Sequence, residues 1–467
     1  MNIQLFFKKS LNSCHIVLHR KTFKPVSFKF LIFIVFGFFC LFFNNSLVGA
    51  ETMDFKTFQL QNGTKIKYLQ RENIPIVYVS VLIPASVLDE SKPSVAYLTA
   101  HMLTHGTQRL TARQIEEEID FLAISIEKNI THDYTMLTLS TTKRHLNEAL
   151  NLFLDILMHP SFPEDELKKE ISILEKSLKQ MEEDPSFIAH KTFLKQLFGQ
   201  HPYGRPIEGE PDKLKDITRQ DIVSFYENLY KPDGMIFSVV GDIKEDELKE
   251  LINKPIAQWN GNRKERNLNP PVFSKRTEPS KIFIKRDDLT QSTIVLGFEG
   301  ISRKDPDFYA VSVMNYILGG GGLTSRLAKY IREEHGLAYS IYSTFKPYLL
   351  PGSFYVEVKT KAENTDNVVG MIVKELKKMR ENGVTDEELK EAKAFLIGSF
   401  PLRIDTMKKI SEFLPVIEFY NLGDDYIKKY PEYIEKITAK DIKKVADRLL
   451  NSSSYILVIV APSNAVK

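Results

Sequence analysis

The sequence predicts an α+β fold used twice: two homologous domains, each an antiparallel β-sheet with helices packed on it. Three observations predict it. Ile217-Thr218-x-x-Asp221-Ile222 recurs as Ile437-Thr438-x-x-Asp441-Ile442, and in each case an apolar strand begins about fourteen residues after the Asp. Glu166-Leu167-Lys168 recurs as Glu388-Leu389-Lys390. Between the copies lies 260–280, rich in charge, Asn and Pro, which reads as a linker. The 467 residues suit two or three domains at ~100–200 residues each.

In order along the chain, Thr57 to Gln70 alternates around Asn62-Gly63 and predicts a hairpin with a type I′ turn. Ile76–Ile83 reads as a strand between Pro75 and Pro84, and Ser94–Thr107 as an apolar helix stopped by Gly106-Thr107. Helices are expected over Thr111–Leu122 and Arg144–Met158, with a strand over Tyr134–Thr142 between them. Pro163 suits the first turn of a helix running towards Glu183, with Ser161 and Glu164 as a capping box. A helix over Ile217–Leu229 and a strand over Met235–Gly241 complete the first copy. The second copy repeats the order. Strands are expected at Lys281–Lys285, Ser292–Phe298, Ala338–Phe345, Ser353–Thr360 and Tyr455–Val460. Helices are expected at Pro306–Leu318, from Thr324, from Asn364 to Gly383, and after the capping box Thr385-Asp386-Glu387-Glu388.

The net charge of +3 divides unevenly. Residues 1–50 hold Lys8, Lys9, Arg20, Lys21, Lys24 and Lys29 and no acid; without them 57 basic residues face 60 acidic ones. With no basic aromatic stretch either, nucleic-acid binding is not expected. A basic region, the apolar run Phe30–Phe43 and Val48-Gly49-Ala50 read as an export signal over 1–50, cleaved after Ala50, or else an uncleaved anchor. The expected location is the bacterial periplasm, with no membrane span in the mature chain. Cys14 and Cys40 are the only cysteines and both lie in this segment. The mature chain therefore has no disulfide, thiol nucleophile or thiolate metal site.

Four motifs carry a resemblance over about 55–460: A-x-x-x-A-H-M-L-x-x-G-T (96–107), H-P-Y-G-R-P-I-x-G (201–209), F-Y-x-x-x-Y-K-P…V-G-D (225–242) and L-G-G-G-G-L-T-S-R-L-x-x-x-I-R-E-E-H-G-L-A-Y-S (318–340). Together they resemble the pitrilysin/insulinase family of zinc peptidases, in its short two-domain, mitochondrial processing peptidase-like branch.

The resemblance implies a first helix bearing H-x-x-E-H, in which two His four apart bind zinc and the Glu activates its water. Here Tyr97 stands at the first His, Ala100 at the Glu, and only His101 remains. The distal Glu ligand falls within Ile173–Lys176, at Lys176. No metal is expected in this chain. His101 with His105 makes a shifted pair with no Glu between them, and Glu175, one residue from Lys176, is turned ~100° round a helix. The second half keeps Arg332 and Tyr339 of R-E-x-x-G-L-x-Y, which the family closes over its substrate. The run Gly319, Gly320, Gly321 and Gly322 is followed by no G-K-[ST] and so is not a phosphate loop; the resemblance implies substrate contact there. His201-Pro202-Tyr203-Gly204 reads as a structural turn.

The expectation is thus a non-catalytic, zinc-less subunit of an exported heterodimeric metallopeptidase. It would lend Arg332 and Tyr339, in trans, to a zinc-bearing homologue that cleaves peptides. Two other readings are a zinc metalloendopeptidase with a rearranged site and a structural or peptide-binding core-protein-like subunit.

Overall fold

A computed structural model describes residues 53–266, 268–274, 277–450 and 454–465. The expected export signal, 1–50, lies outside the described residues. The first sheet has six strands: β1 (Lys56–Gln59), β2 (Lys65–Gln70), β3 (Ile76–Ile83), β4 (Ser125–Ile130), β5 (Thr135–Thr142) and β6 (Ile236–Gly241), in the order β1-β2-β6-β3-β5-β4. The second has β7 (Ser280–Lys285), β8 (Gln291–Glu299), β9 (Ala338–Lys346), β10 (Ser353–Lys361) and β11 (Ile456–Ala461), in the order β7-β11-β8-β10-β9. Without β1 the two orders superpose strand for strand. Each sheet is antiparallel but for one parallel pair, β2 with β6 and β7 with β11. The duplication reaches the capping chemistry. Thr218 with Asp221 and Thr438 with Asp441 form matching capping boxes at the two repeated helix starts.

The helices that matter below are α1 (Val95–Met102), α2 (Ala112–Leu122), α3 (Leu146–Met158), α4 (Glu164–Met181), α5 (Pro185–Phe198) and α6 (Arg219–Leu229) in the first half. The second half holds α7 (Phe308–Asn315), the π-wound α8 (Ala328–Glu334), α9 (Thr365–Asn382), α10 (Asp386–Ser399), α11 (Met407–Phe419), α12 (Tyr426–Glu435) and α13 (Ala439–Leu449). One face of the first sheet packs with α1, α3 and α6 around Val79, Val81, Leu98, Phe153 and Ile222. Its other face, at Leu82, Met136 and Ile236, is covered by Val416 and Phe419 of α11, from the second half. Reciprocally, α5 of the first half lays Ala189, Phe193 and Leu197 on Val295, Val458 and Val460 of the second sheet. Each half thus supplies a helix to the other's sheet. Burying side chains of this size contributes ~1.5–3 kcal/mol each.

Two local expectations need correction. The hairpin loop is longer than a two-residue turn, and only Gly63 of the Asn62-Gly63 pair has positive φ, so no type I′ turn forms. The Asn62 amide instead donates to the carbonyls of Ile256 and Trp259 at 2.7 and 3.0 Å. At α4 the N-cap is Pro163 with no side-chain cap, so the Ser161/Glu164 box is not made. The helix expected to run towards Glu183 does so, ending at Met181 with Glu182 as its C-cap, and α5 starts afresh behind Asp184, whose carboxylate accepts the Ser186 amide at 2.9 Å. Strand β4 and helices α5, α11 and α12 were not anticipated.

Candidate functional site

The start of α1 is built by charged and small residues from distant segments. Ser94, in the left-handed region at φ 76°, offers no side-chain cap. Glu90 takes that role: its Oε2 accepts the Ala96 amide at 3.0 Å and its Oε1 accepts Arg205 at 2.9 Å. Burial pushes the Glu90 carboxyl up to about 7, against the pull of Arg205 and the backbone amides. Gly209 at φ 92° lies so close that a Cβ there would sit 1.8 Å from Ser94 Oγ. The motif 201–209 is therefore a brace for α1. Tyr203 is fully buried and donates to Asp133, in keeping with a structural turn.

Along α1, Ala100 is fully buried and presents a methyl where the resemblance implies a carboxylate. The Tyr97 ring stacks on His101 at 4.1 Å and 22°. Burial raises the Tyr97 hydroxyl pKa, helped by Glu208 and Glu170, so it stays a neutral phenol. Lys176 lies on the exposed side of α4, and Glu175 pairs with Lys179 at 2.6 Å.

The carboxylate that faces α1 is Glu170, which the sequence did not single out. His101 Nδ1 lies 3.4 Å from Glu170 Oε1, and His105 Nε2 lies 3.7 Å from Oε2. The His101 hydrogen bond holds the Glu170 carboxyl below its usual range despite burial. His105 Nδ1 is 3.0 Å from the His101 carbonyl and donates to it. An ammonium also stands here, but it belongs to Lys128 of β4, which donates to Thr104 Oγ1 at 2.8 Å and the His101 carbonyl at 3.2 Å. Burial lowers the Lys128 pKa, and Glu170 partly restores it. A spacing of i, i+4 from His101 and a search for acids on the facing helix would have found Glu170; the side of α4 that turns inward could not be read beforehand.

These residues do not fit zinc. The family positions present a phenol, a methyl, one imidazole and an ammonium, where a catalytic zinc takes about three protein ligands. Among the described residues no group of three or more His, Cys, Asp and Glu side chains is placed to hold a metal ion. The shifted pair His101 and His105 is engaged by Glu170, with a cation alongside.

In the second half, Gly336 (φ 65°) ends the π-wound α8, its amide donating to the Arg332 carbonyl at 3.1 Å. Tyr339 follows on β9 and is 54% exposed. The Arg332 side chain is likewise open to solvent, its one ion pair among the described residues being with Glu333 at 3.6 Å. Both side chains are thus free to meet another molecule. The glycine run turns tightly: a Cβ on Gly319 would meet Ser343 at 2.5 Å, and Gly322 has φ 62°. The hydroxyls of Thr324 and Ser325 donate back to the carbonyls of Gly321 and Gly322. Leu323 at the tip of this run is 54% exposed.

The chain is similar to known proteins over most of its length. Residues 66–211 match the family profile described as insulinase (peptidase family M16), and residues 216–396 match that of the peptidase M16 inactive domain. An uncharacterized zinc protease, YmxG, of Bacillus subtilis is 28% identical over 418 residues, covering 87% of this chain and 98% of that protein. A protein of Helicobacter pylori named non-peptidase homolog YmxG is 26% identical over 424 residues, covering 89% and 94%. Among solved structures, a peptidase M16 inactive domain from Pseudomonas fluorescens superposes with a TM-score of 0.81 at 25% identity, covering 88% of this chain and 98% of that one. The duplicated sheets, the motifs in both halves and these likenesses establish that the chain belongs to the insulinase (M16) family of peptidases.

Proposed function

We propose that this protein is the non-catalytic subunit of an exported two-subunit metallopeptidase. It pairs with a zinc-bearing homologue, helps to enclose an unfolded peptide, and lends Arg332 and Tyr339 to the partner's site. The observation that carries this reading is an asymmetry between the halves. The first half's site is closed on itself, with Glu170, Lys128, His101 and His105 satisfying one another. In the second half Arg332, paired with its neighbour Glu333, and Tyr339 both remain open to solvent.

The chemistry assigned to the pair follows from their groups. A guanidinium presents planar N–H donors to a peptide carbonyl. A phenol donates to the oxyanion that develops as water adds to that carbonyl. Neither group serves without a nucleophile, which the partner supplies. The reading also accounts for the neutral Ala100 and Tyr97, since no proton transfer is asked of α1.

Co-expression with a homologue bearing an intact H-x-x-E-H tests it. The expected result is a stable complex that cleaves unfolded peptides, and whose kcat falls on Arg332→Ala while assembly is unchanged. No complex, or a complex indifferent to Arg332→Ala, would reject it.

A further inference from the structure

We propose that the second half carries a separate pocket for the C-terminal residue of a peptide, taking an apolar or aromatic side chain together with its free carboxylate. The pocket is a 360 Å³ cavity among α7, α10, α12 and the start of the glycine run. Its volume lies at the lower end of ligand sites, ~300–1,000 Å³, and suits one or two residues.

The walls are aromatic. Phe308, Phe345, Phe395 and Tyr430 line the cavity, with the backbone of Gly320 at one side. Phe395 stacks on Tyr316 at 4.7 Å and 27°. It is nevertheless 53% exposed, which leaves a large apolar ring facing water at the cavity. Such a surface favours an occupant with an apolar body.

The occupant's charge is set by Arg403, which also lines the cavity. Its guanidinium sits 5.7 Å from the Phe400 ring centre and 5.6 Å from that of Tyr430. No carboxylate among the described residues pairs with it. The nearest acid in sequence, Asp405, is taken by Lys409 at 2.8 Å. An unneutralised guanidinium beside an aromatic box matches an anion with an apolar neighbour. The planar fork of Arg suits a carboxylate held by two parallel hydrogen bonds. A peptide's terminal residue joins that carboxylate to an apolar side chain on one carbon. An internal residue of a peptide offers the side chain without the charge.

This inference does not rest on the zinc-bearing partner, because every residue it uses lies in this chain. The test therefore uses the chain alone, titrated calorimetrically with three N-acetylated hexapeptides. One ends in Phe with a free carboxylate, the second is its C-terminal amide, and the third ends in Asp. The free acid ending in Phe is expected to bind, with affinity reduced about tenfold or more by amidation, by the Asp terminus, by Arg403→Gln and by Phe395→Ser. Both substituted side chains are exposed, and an unchanged thermal melt verifies that the variants fold. Equal affinity for acid and amide, indifference to Arg403→Gln, or no peptide binding would overturn the proposal. Binding of decanoate with no peptide binding would assign the cavity to a fatty acid and overturn it as well.

Discussion

Asp133 Oδ2 accepts the hydroxyl of Tyr420 at 2.7 Å, joining the β4–β5 turn of the first half to the end of α11 in the second. The same oxygen accepts the Leu349 amide at 2.8 Å, and the other Asp133 oxygen accepts Tyr203. Arg266, in the segment between the copies, donates to the Asp133 carbonyl at 3.0 Å and grips Asp89 with two bonds of 2.8 Å. Burial raises the Asp133 carboxyl pKa, while the two phenols hold it down. This buried hub ties the halves together. Tyr420→Phe removes one donor from it and is expected to destabilise the fold by about 1–3 kcal/mol, read by urea unfolding.

His190 of α5 and Tyr342 of β9 both bond Glu357 Oε2 on β10, at 2.6 and 2.5 Å. Burial alone would raise this carboxyl, but the two bonds hold it at about 2. A carboxylate whose folded pKa is depressed adds stability above its ordinary value of 4.5, lost as pH falls towards about 2. Glu357→Gln is therefore expected to cost about 2–3 kcal/mol at pH 7 and progressively less below pH 4.5. A difference that stays flat between pH 7 and pH 3 would contradict this.

Ala100→Glu by itself is not expected to create a peptidase. Ala100 is fully buried, so Ala100→Glu places a carboxylate in the core of the first half. The expected cost is roughly 2–4 kcal/mol, from desolvation and crowding together. Thermal melting reads that cost, and a peptide-cleavage assay on the variant should find no gain.

Within the proposed complex with a zinc-bearing homologue, Tyr339→Phe is expected to lower kcat by ~10²–10³ with little change in KM, as for loss of one oxyanion donor. Because Tyr339 is 54% exposed in the free chain, the variant should melt like wild type. A change confined to KM would assign Tyr339 to substrate binding.

Gly209→Ala meets Ser94 Oγ at 1.8 Å and a backbone at φ 92°. It should loosen the start of α1, where Glu90 and Arg205 meet. Faster hydrogen exchange across Val95–Met102, with the second half unchanged, is the expected outcome.

Much of the fold was legible before any coordinates. β3 was placed at its observed ends because prolines bound a run that is apolar but for Ser80. The capping box at Thr385 was expected and forms; those at Thr111, Thr218 and Thr438 form as well and fix helix starts through short-range hydrogen bonds. Two of them, Thr218 and Thr438, also made the duplication visible. The loss of H-x-x-E-H could be read from residue types alone, since no placement turns an alanine into a base.

The elements that were missed share a physical cause. α5 and α11 each bury one face against the other half's sheet, so the partner surface that gives their pattern meaning lies about 100 to 340 residues away. β4 alternates weakly, being half exposed along an edge. The four motifs thus determined the family, and the residue types at 97, 100, 101, 332 and 339 raised the expectation of a zinc-less subunit. Only the tertiary structure decided that Glu170, rather than Lys176, faces His101. It likewise decided that Lys128 brings the ammonium and that Asp133 joins the halves. Helix rotation and long-range packing select those partners, and neither is encoded within the reach of a short sequence window.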